Sequence, residues 1–213
     1  MGWNRISNND NMDMDKGIGD EVWNRLIWNS QYNRMGWGGN AGIVDGINEG
    51  ELERFKSKIH WLHNELKELK PQTIWEIGTN YGSFSWLLYN TLEEFKLLTC
   101  DIVEGSRGEI EYINEYYQRD WVEFYHQSSE EFLKGRFGAD LVWMDGNHDE
   151  DWVKREILWI ESTNAPIVWI DDWNWWEIRK GIEESGTNYK LERTSPMGDV
   201  AIMRLEGVSP MEY

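Results

Sequence analysis

"TIWEIGTNYGSFSWLLYNTL", residues 73 to 92, decides how this chain folds. A short apolar run ends at Gly78, and Gly82 follows it. Phe84, Leu87, Leu88 and Thr91 then recur at helical spacing. The stretch reads as a strand, a tight turn and a helix. The same alternation continues downstream. "KLLTCDI", "VEFYHQ", "ADLVWMDG" and "APIVWIDD" are strand-like runs. Each is followed by a segment of helical period, among them "GEIEYINEYYQR", "SEEFLKG", "DEDWVKREILWI" and "WEIRKGIEE". Two further strand-like pieces, "NYKLERT" and "DVAIMRL", bracket the turn "SPMG". Five strand-then-helix units followed by a strand pair predict an α/β fold with a mostly parallel sheet covered on both faces.

Upstream, "ELERFKSKIHWLHNELKELK" places Leu52, Phe55, Ile59, Leu62, Leu66 and Leu69 in steps of three and four, a long amphipathic helix stopped by Pro71. Residues 1–50 show weak periodicity, and "DEVWNRLIWNSQ" is their one helical stretch. We divide the chain into a cap or lid segment, 1–50, and a main domain, 51–213. Trp28, Tyr32 and Trp37 are the residues expected to close over a substrate. His60 and His63 share a face of the long helix, but two histidines with no third ligand are expected to be packing residues.

The chain has 213 residues, with 39 acids against 21 bases and a formal charge of −18. It has no basic run for a polyanion, so nucleic acid is not an expected partner. No segment reaches the roughly 18 apolar residues of a membrane span, and the polar start lacks the core of a secretory signal. The single Cys100 excludes an internal disulfide and fits a cytoplasmic location.

In parallel sheets, ligands sit outside the carboxyl ends of the strands, where strand order reverses. Those ends carry Glu76 and Gly78, then Asp101, then Gln127 and Ser128, then Asp145, then Asp171 and Asp172. The first turn departs from the dinucleotide pattern G-x-G-x-x-G, because Asn80 stands where the second glycine belongs. That spacing argues against a nicotinamide cofactor. Glu76 suits an ammonium group, while free N–H groups near Gly82, with the hydroxyls of Ser83 and Ser85, suit a carboxylate. Asp101 stands where a carboxylate would hold a ribose diol.

On these residues the chain resembles the class I S-adenosylmethionine (SAM) methyltransferases. "EIGTNYGSFS" looks like their first motif, Asp101 like their ribose acid, and "HQSS", with Gln127 and Ser128, like their adenine-contacting stretch. "DLVWMDGNHDEDWVKREI" resembles the Asp-Gly-x-His block of a branch that includes macrocin-type sugar O-methyltransferases. The resemblance implies a Rossmann-like, doubly wound, seven-stranded sheet with an antiparallel C-terminal pair. It also implies SAM as cofactor, with Asp145 bordering it.

In such a fold, neighbouring strand ends roughly 5 Å apart would crowd Asp145, Asp171 and Asp172. Three such anions call for a cation, and all-oxygen ligation suits Mg²⁺ or Ca²⁺. Catechol-type and macrocin-type enzymes carry metal-binding acids at these two crests, so these three residues are the expected metal ligands. The rival role for Asp171 or Asp172 is to cap the helix that follows. His148 is the expected general base, with Asp145 its rival. Trp173, Trp175 and Trp176 are read as a stacking wall or as helix packing. The expected activity is methyl transfer to a hydroxyl of a small molecule, a sugar or glycoside first and a catechol-like phenol second. The alternatives are a metal-independent methyltransferase or a silent SAM-binding module acting through protein partners.

Overall fold

A computed structural model describes residues 22–24, 26 and 49–208. Seven strands form one sheet: β1 (Thr73–Ile77), β2 (Lys96–Asp101), β3 (Val122–His126), β4 (Leu141–Met144), β5 (Ile167–Ile170), β6 (Tyr189–Thr194) and β7 (Ala201–Leu205). Their order is β3-β2-β1-β4-β5-β7-β6. Strands β1 to β5 pair in parallel, and β7 runs antiparallel to both β5 and β6. The helices are α1 (Glu49–Leu69), α2 (Ser83–Thr91), α3 (Ser106–Tyr117), α4 (Ser129–Leu133), α5 (Glu150–Ser162) and α6 (Trp176–Ser185). This is the Rossmann-like, seven-stranded architecture expected from the alternation. The last strand inserts between β5 and β6, a placement fixed by pairing partners rather than by chain order.

Alternation along each strand divides the core. Ile74, Leu97, Val122, Trp143 and Trp169 face one side, where α1, α2 and α3 bring Ile59, Leu62, Leu66, Phe84, Leu87, Ile110 and Ile113. Trp75, Ile77, Cys100, Val142, Met144 and Val168 face the other, against Phe132 of α4, Ile157 of α5 and Ile178 of α6. Val22, Trp23 and Leu26 are helical and join the first cluster. The remainder of the expected N-terminal helix, and Trp28, Tyr32 and Trp37, lie outside the described residues. His60 and His63 are packing residues. The His60 ring lies against Trp23 at 5.2 Å, and His63 Nδ1 bonds Thr91 Oγ1 at 2.8 Å.

Chain order turns back between β1 and β4, and this switch point sets the ligand site. The two strand ends approach closely there. A Cβ on Gly78 would stand 2.0 Å from the Asp145 carbonyl oxygen, and Gly78 has a φ of +91°. Both facts demand glycine at this turn. Asn80 occupies the left-handed region at φ 47°, a conformation that asparagine tolerates better than most residues. It therefore meets the turn's conformational demand where the dinucleotide pattern uses glycine.

Helix α1 docks through a buried apolar stripe, so its anchor residues carry stability. Leu66 is fully buried, and Leu66→Ala should cost about 2–5 kcal/mol. Lys67→Ala, on the exposed face, should stay within about 0.5 kcal/mol. Urea unfolding followed by Trp fluorescence measures both.

Candidate active site

The carboxyl ends of β1 and β4, with α1 and α2 above them, enclose a cleft. Phe55, Lys58, Glu76, Gly78, Asn80, Ser83, Phe84, Trp143, Asp145 and Asp171 are among its lining residues. It holds ≈ 570 Å³ with its open mouth included. Phe84 stacks on Trp143 at 4.6 Å and 11°, giving the cleft a flat apolar wall.

Glu76 is buried beneath the cleft and accepts the Thr99 hydroxyl at 2.5 Å. Burial raises its carboxyl well above the ordinary range; the Thr99 bond opposes this, while Asp145 and Asp101 add to it. Asp101 folds the first turn against the second strand. Its Oδ2 accepts the Asn80 N–H at 2.8 Å and its Oδ1 the Val103 N–H at 2.8 Å. Each oxygen keeps acceptor capacity for a hydroxyl.

Gly82 is the N-cap of α2, with φ 68°, and a Cβ there would stand 2.8 Å from Ile113 Cδ1. Ser83 lines the cleft. Ser85 does not, contrary to its expected role. It is fully buried in α2, and its Oγ has no partner among the described residues. Successive helical residues point about 100° apart, so two serines spaced by one cannot share a face. At the rim, the Gln127 N–H donates to the Asp101 carbonyl at 3.1 Å, and Ser128 caps α4 by accepting the Glu131 N–H at 3.3 Å.

The acids at the ends of β4 and β5 arrange themselves differently from the expected trio. Asp145, His148 and Asp172 each offer a ligand atom, and the three atoms lie within 4.8 Å of one another. His148 Nε2 is 3.8 Å from Asp145 Oδ1 and 3.6 Å from Asp172 Oδ2. Asp171 instead pairs with Lys58, whose Nζ reaches its two oxygens at 2.5 and 2.7 Å. One of the three expected carboxylates thus already has a cation. Neither Asp171 nor Asp172 caps α6, because its N-cap is Trp175, with no side-chain bond. His148 does not cap α5 either; Asp149 does, accepting from Asp151 and Trp152.

Burial, then the charge of Asp171, raises Asp145, while His148 and Lys58 oppose them. The neighbouring Asp145 carboxylate raises His148 against the effect of burial, and Asp172 and Asp171 add to the rise. Burial would lower the Lys58 ammonium, but Asp171, Asp145 and Asp172 outweigh it and hold the group above its ordinary value. Lys58 was not foreseen from the sequence, although the signal was there. It lies three residues after Phe55 and four before Leu62, a charge within the apolar stripe.

The tryptophans after the pair have separate fates. Trp173 packs against the second core cluster, while Trp175 and Trp176 are exposed. Trp175 meets the His148 ring edge-to-face, with centroids 4.8 Å apart.

Residues 75–173 match the model of a methyltransferase domain. The solved structures that resemble this fold include an S-adenosylhomocysteine-bound methyltransferase from Podospora anserina, with TM-score 0.64, 15% identity and 91% of each chain covered. The O-methyltransferase TomG of Streptomyces achromogenes, involved in tomaymycin synthesis and solved with SAM, has TM-score 0.62 and 14% identity, covering 90% of this chain and 92% of that one. An O-methyltransferase from Bacillus cereus, solved with S-adenosylhomocysteine, has TM-score 0.60 and 14% identity, over 87% and 91%. A search of curated proteins finds no matching relative. Residues 75–173 are thus similar to a methyltransferase domain, and the chain shares the fold of methyltransferases solved with SAM or S-adenosylhomocysteine. No described helix is long and apolar enough to cross a membrane.

Below the Asp145–His148 loop lies a second buried acid. Glu156 Oε1 accepts Ser129 Oγ and Trp152 Nε1, both at 2.6 Å, and its Oε2 has no partner among the described residues. Burial pushes this carboxyl up from 4.5 to about 7. The folded chain then holds the proton more tightly than the unfolded one. Stability should therefore fall as pH rises between about 4.5 and about 7. Glu156→Gln should remove on the order of 1–3 kcal/mol of that pH dependence, measured by urea unfolding at pH 4.5 and pH 8.

Proposed function

We propose that this protein is a cytoplasmic, SAM-dependent O-methyltransferase acting on a hydroxyl of a small molecule. A sugar or glycoside is the first acceptor class and a catechol-like phenol the second. The observation that carries the reading is the cleft at the switch point. Glu76 and Asp145 line it, Asp145 also belongs to the Asp145–His148–Asp172 group, and Asp101 accepts the N–H of the cleft-lining Asn80.

The residues fit the donor. Glu76 suits the methionyl ammonium, a cation that would relieve a buried carboxyl. Asp101 has an acceptor at each oxygen for the ribose diol. The acidic surroundings suit a sulfonium. Gln127 and Ser128 stand at the rim expected for adenine.

For the acceptor side, Asp145, His148 and Asp172 would hold a divalent ion. The two carboxylates suit Mg²⁺ or Ca²⁺, and the imidazole extends the fit to Mn²⁺. Such an ion, when bound, supplies Lewis-acid polarisation of a hydroxyl. The exposed face of Trp175, beside His148, offers a stacking surface for a sugar or phenol ring.

A second reading is favoured by the Lys58–Asp171 pair, which already neutralises one expected ligand. In it no metal is needed. His148, oriented by Asp145, takes the acceptor proton as general base, and Trp175 holds the ring as before.

Transfer assays on a panel of glycosides and catechols, with and without chelator, separate the two readings. Loss of activity on chelation, restored by Mg²⁺ or Mn²⁺, is expected for the first. Asp172→Ala should lower kcat by at least about 100-fold and leave SAM affinity within about threefold. Asp101→Ala should weaken SAM binding by about 10- to 100-fold in calorimetry, the loss of charge-assisted hydrogen bonds. Unchanged SAM affinity in Asp101→Ala would remove the ribose assignment.

A further inference from the structure

Helix α1 brings a lysine, Lys58, to the cleft at the carboxyl edge of the sheet. Lys58 is the single Lys or Arg among the described residues that line the cleft. Only 17% of its side chain is exposed, and 9% of that of Asp171. An ion pair this buried is a weak source of net stability, because desolvating both charges offsets most of their attraction. Its geometry, however, is specific. Lys58 Nζ engages both oxygens of Asp171, and Asp171 Oδ1 also accepts the backbone N–H of Asp172 at 2.8 Å.

That N–H belongs to a residue in an unusual conformation. Asp172 has φ 49°, a left-handed conformation uncommon for a non-glycine residue and one that its surroundings must hold. Three further contacts surround it. Trp175 donates its N–H to the Asp172 carbonyl at 2.8 Å, Trp173 donates to Asp199 at 2.9 Å, and the Asp171 N–H reaches the Met144 carbonyl at 3.0 Å. The Asp172 side chain then points to within 3.6 Å of His148 Nε2. A continuous path runs from Lys58 through the Asp171 carboxylate and the Asp172 amide to the group facing the acceptor.

We propose that Lys58 is a positioning residue for the transfer reaction. By clamping Asp171 it fixes the Asp172 backbone, so that Asp172 and Asp145 flank His148. It also keeps Asp171 from competing for the acceptor or its ion. This rests on reading the cleft as a methyl-transfer site. It makes α1, which lies outside the matched methyltransferase domain, part of the reaction's geometry.

The test compares Lys58→Met, Lys58→Arg, Asp171→Asn and the double variant Lys58→Met/Asp171→Asn. Three readouts are taken: kcat and acceptor KM, calorimetric SAM affinity, and hydrogen exchange of the Asp172 amide. Lys58→Met should lower kcat about 10- to 100-fold with SAM affinity within about threefold, and Asp172 exchange should quicken about tenfold. Lys58→Arg should recover kcat to within about fivefold of the starting protein. The double variant should be no worse than the more damaged single variant, as expected of two residues acting as one unit.

A folded Lys58→Met protein with kcat within about twofold of the original overturns the proposal and leaves Lys58 a structural tether. Loss of SAM affinity in step with activity also overturns it, because Lys58 would then act on the donor. Multiplied losses in the double variant do the same. If Lys58→Met does not fold, Asp171→Asn must show the same kcat loss and faster Asp172 exchange, and failure to do so overturns the clamp. An original protein that binds SAM but methylates no acceptor overturns the methyl-transfer reading. The exchange rates then decide the clamp by themselves.

Discussion

Parallel strands send all their carboxyl ends to one edge, and in this chain four of those ends carry acids. Glu76, Asp145 and Asp171 line the cleft, with Asp172 beside them at His148 and Asp101 beyond it. Like charges so placed cannot all ionise at no cost. The structure answers in three ways. Lys58 brings an ammonium to Asp171, burial favours the neutral form of Glu76, and the imidazole of His148 lies between Asp145 and Asp172. What remains is a pocket with residual negative character. A cationic donor suits it.

The same crowding explains why the first turn is built so tightly. Gly78 lets the end of β1 lie directly against the Asp145 carbonyl. Asn80 turns the chain so that its N–H meets the Asp101 carboxylate. Backbone bonds from the Gly78 N–H to the Cys100 carbonyl and from the Asp145 N–H to the Ile77 carbonyl, with the Asn80–Asp101 bond, tie the three strand ends together before any ligand arrives. Two apolar clusters, one on each face of the sheet, hold those strands in register. Preorganisation of this kind is what methyl transfer requires, because the donor methyl must be aligned with the attacking atom.

Most of the fold could be read from periodicity, because each strand and helix buries one face and the residue pattern records which. The turn at Gly78 and the end of α1 before Pro71 were equally plain. Strand order was not, since the insertion of β7 between β5 and β6 depends on pairing between distant segments. In the site, Glu76, Gly78 and Asp145 line the cleft because strand ends are easy to locate. The misplacements have specific physical causes. Ser85 lies about 200° around α2 from Ser83, on the buried side. Asp171 is the last residue before a left-handed turn and points towards α1, whereas Asp172 points towards His148. Lys58 lay hidden in a helix judged by its apolar positions alone; a lysine within such a stripe is itself a sign that an acid waits beneath it.

The central claim is that a SAM-type donor lies across the ends of β1 and β2 with its reactive end towards Asp145 and His148. A crystal structure of the protein with S-adenosylhomocysteine measures this most directly. The account predicts ribose hydroxyls on the Asp101 carboxylate, the amino group over Glu76, and the sulfur facing the Asp145–His148–Asp172 group. Density for the ligand elsewhere, or bound with its ribose away from Asp101, would contradict it.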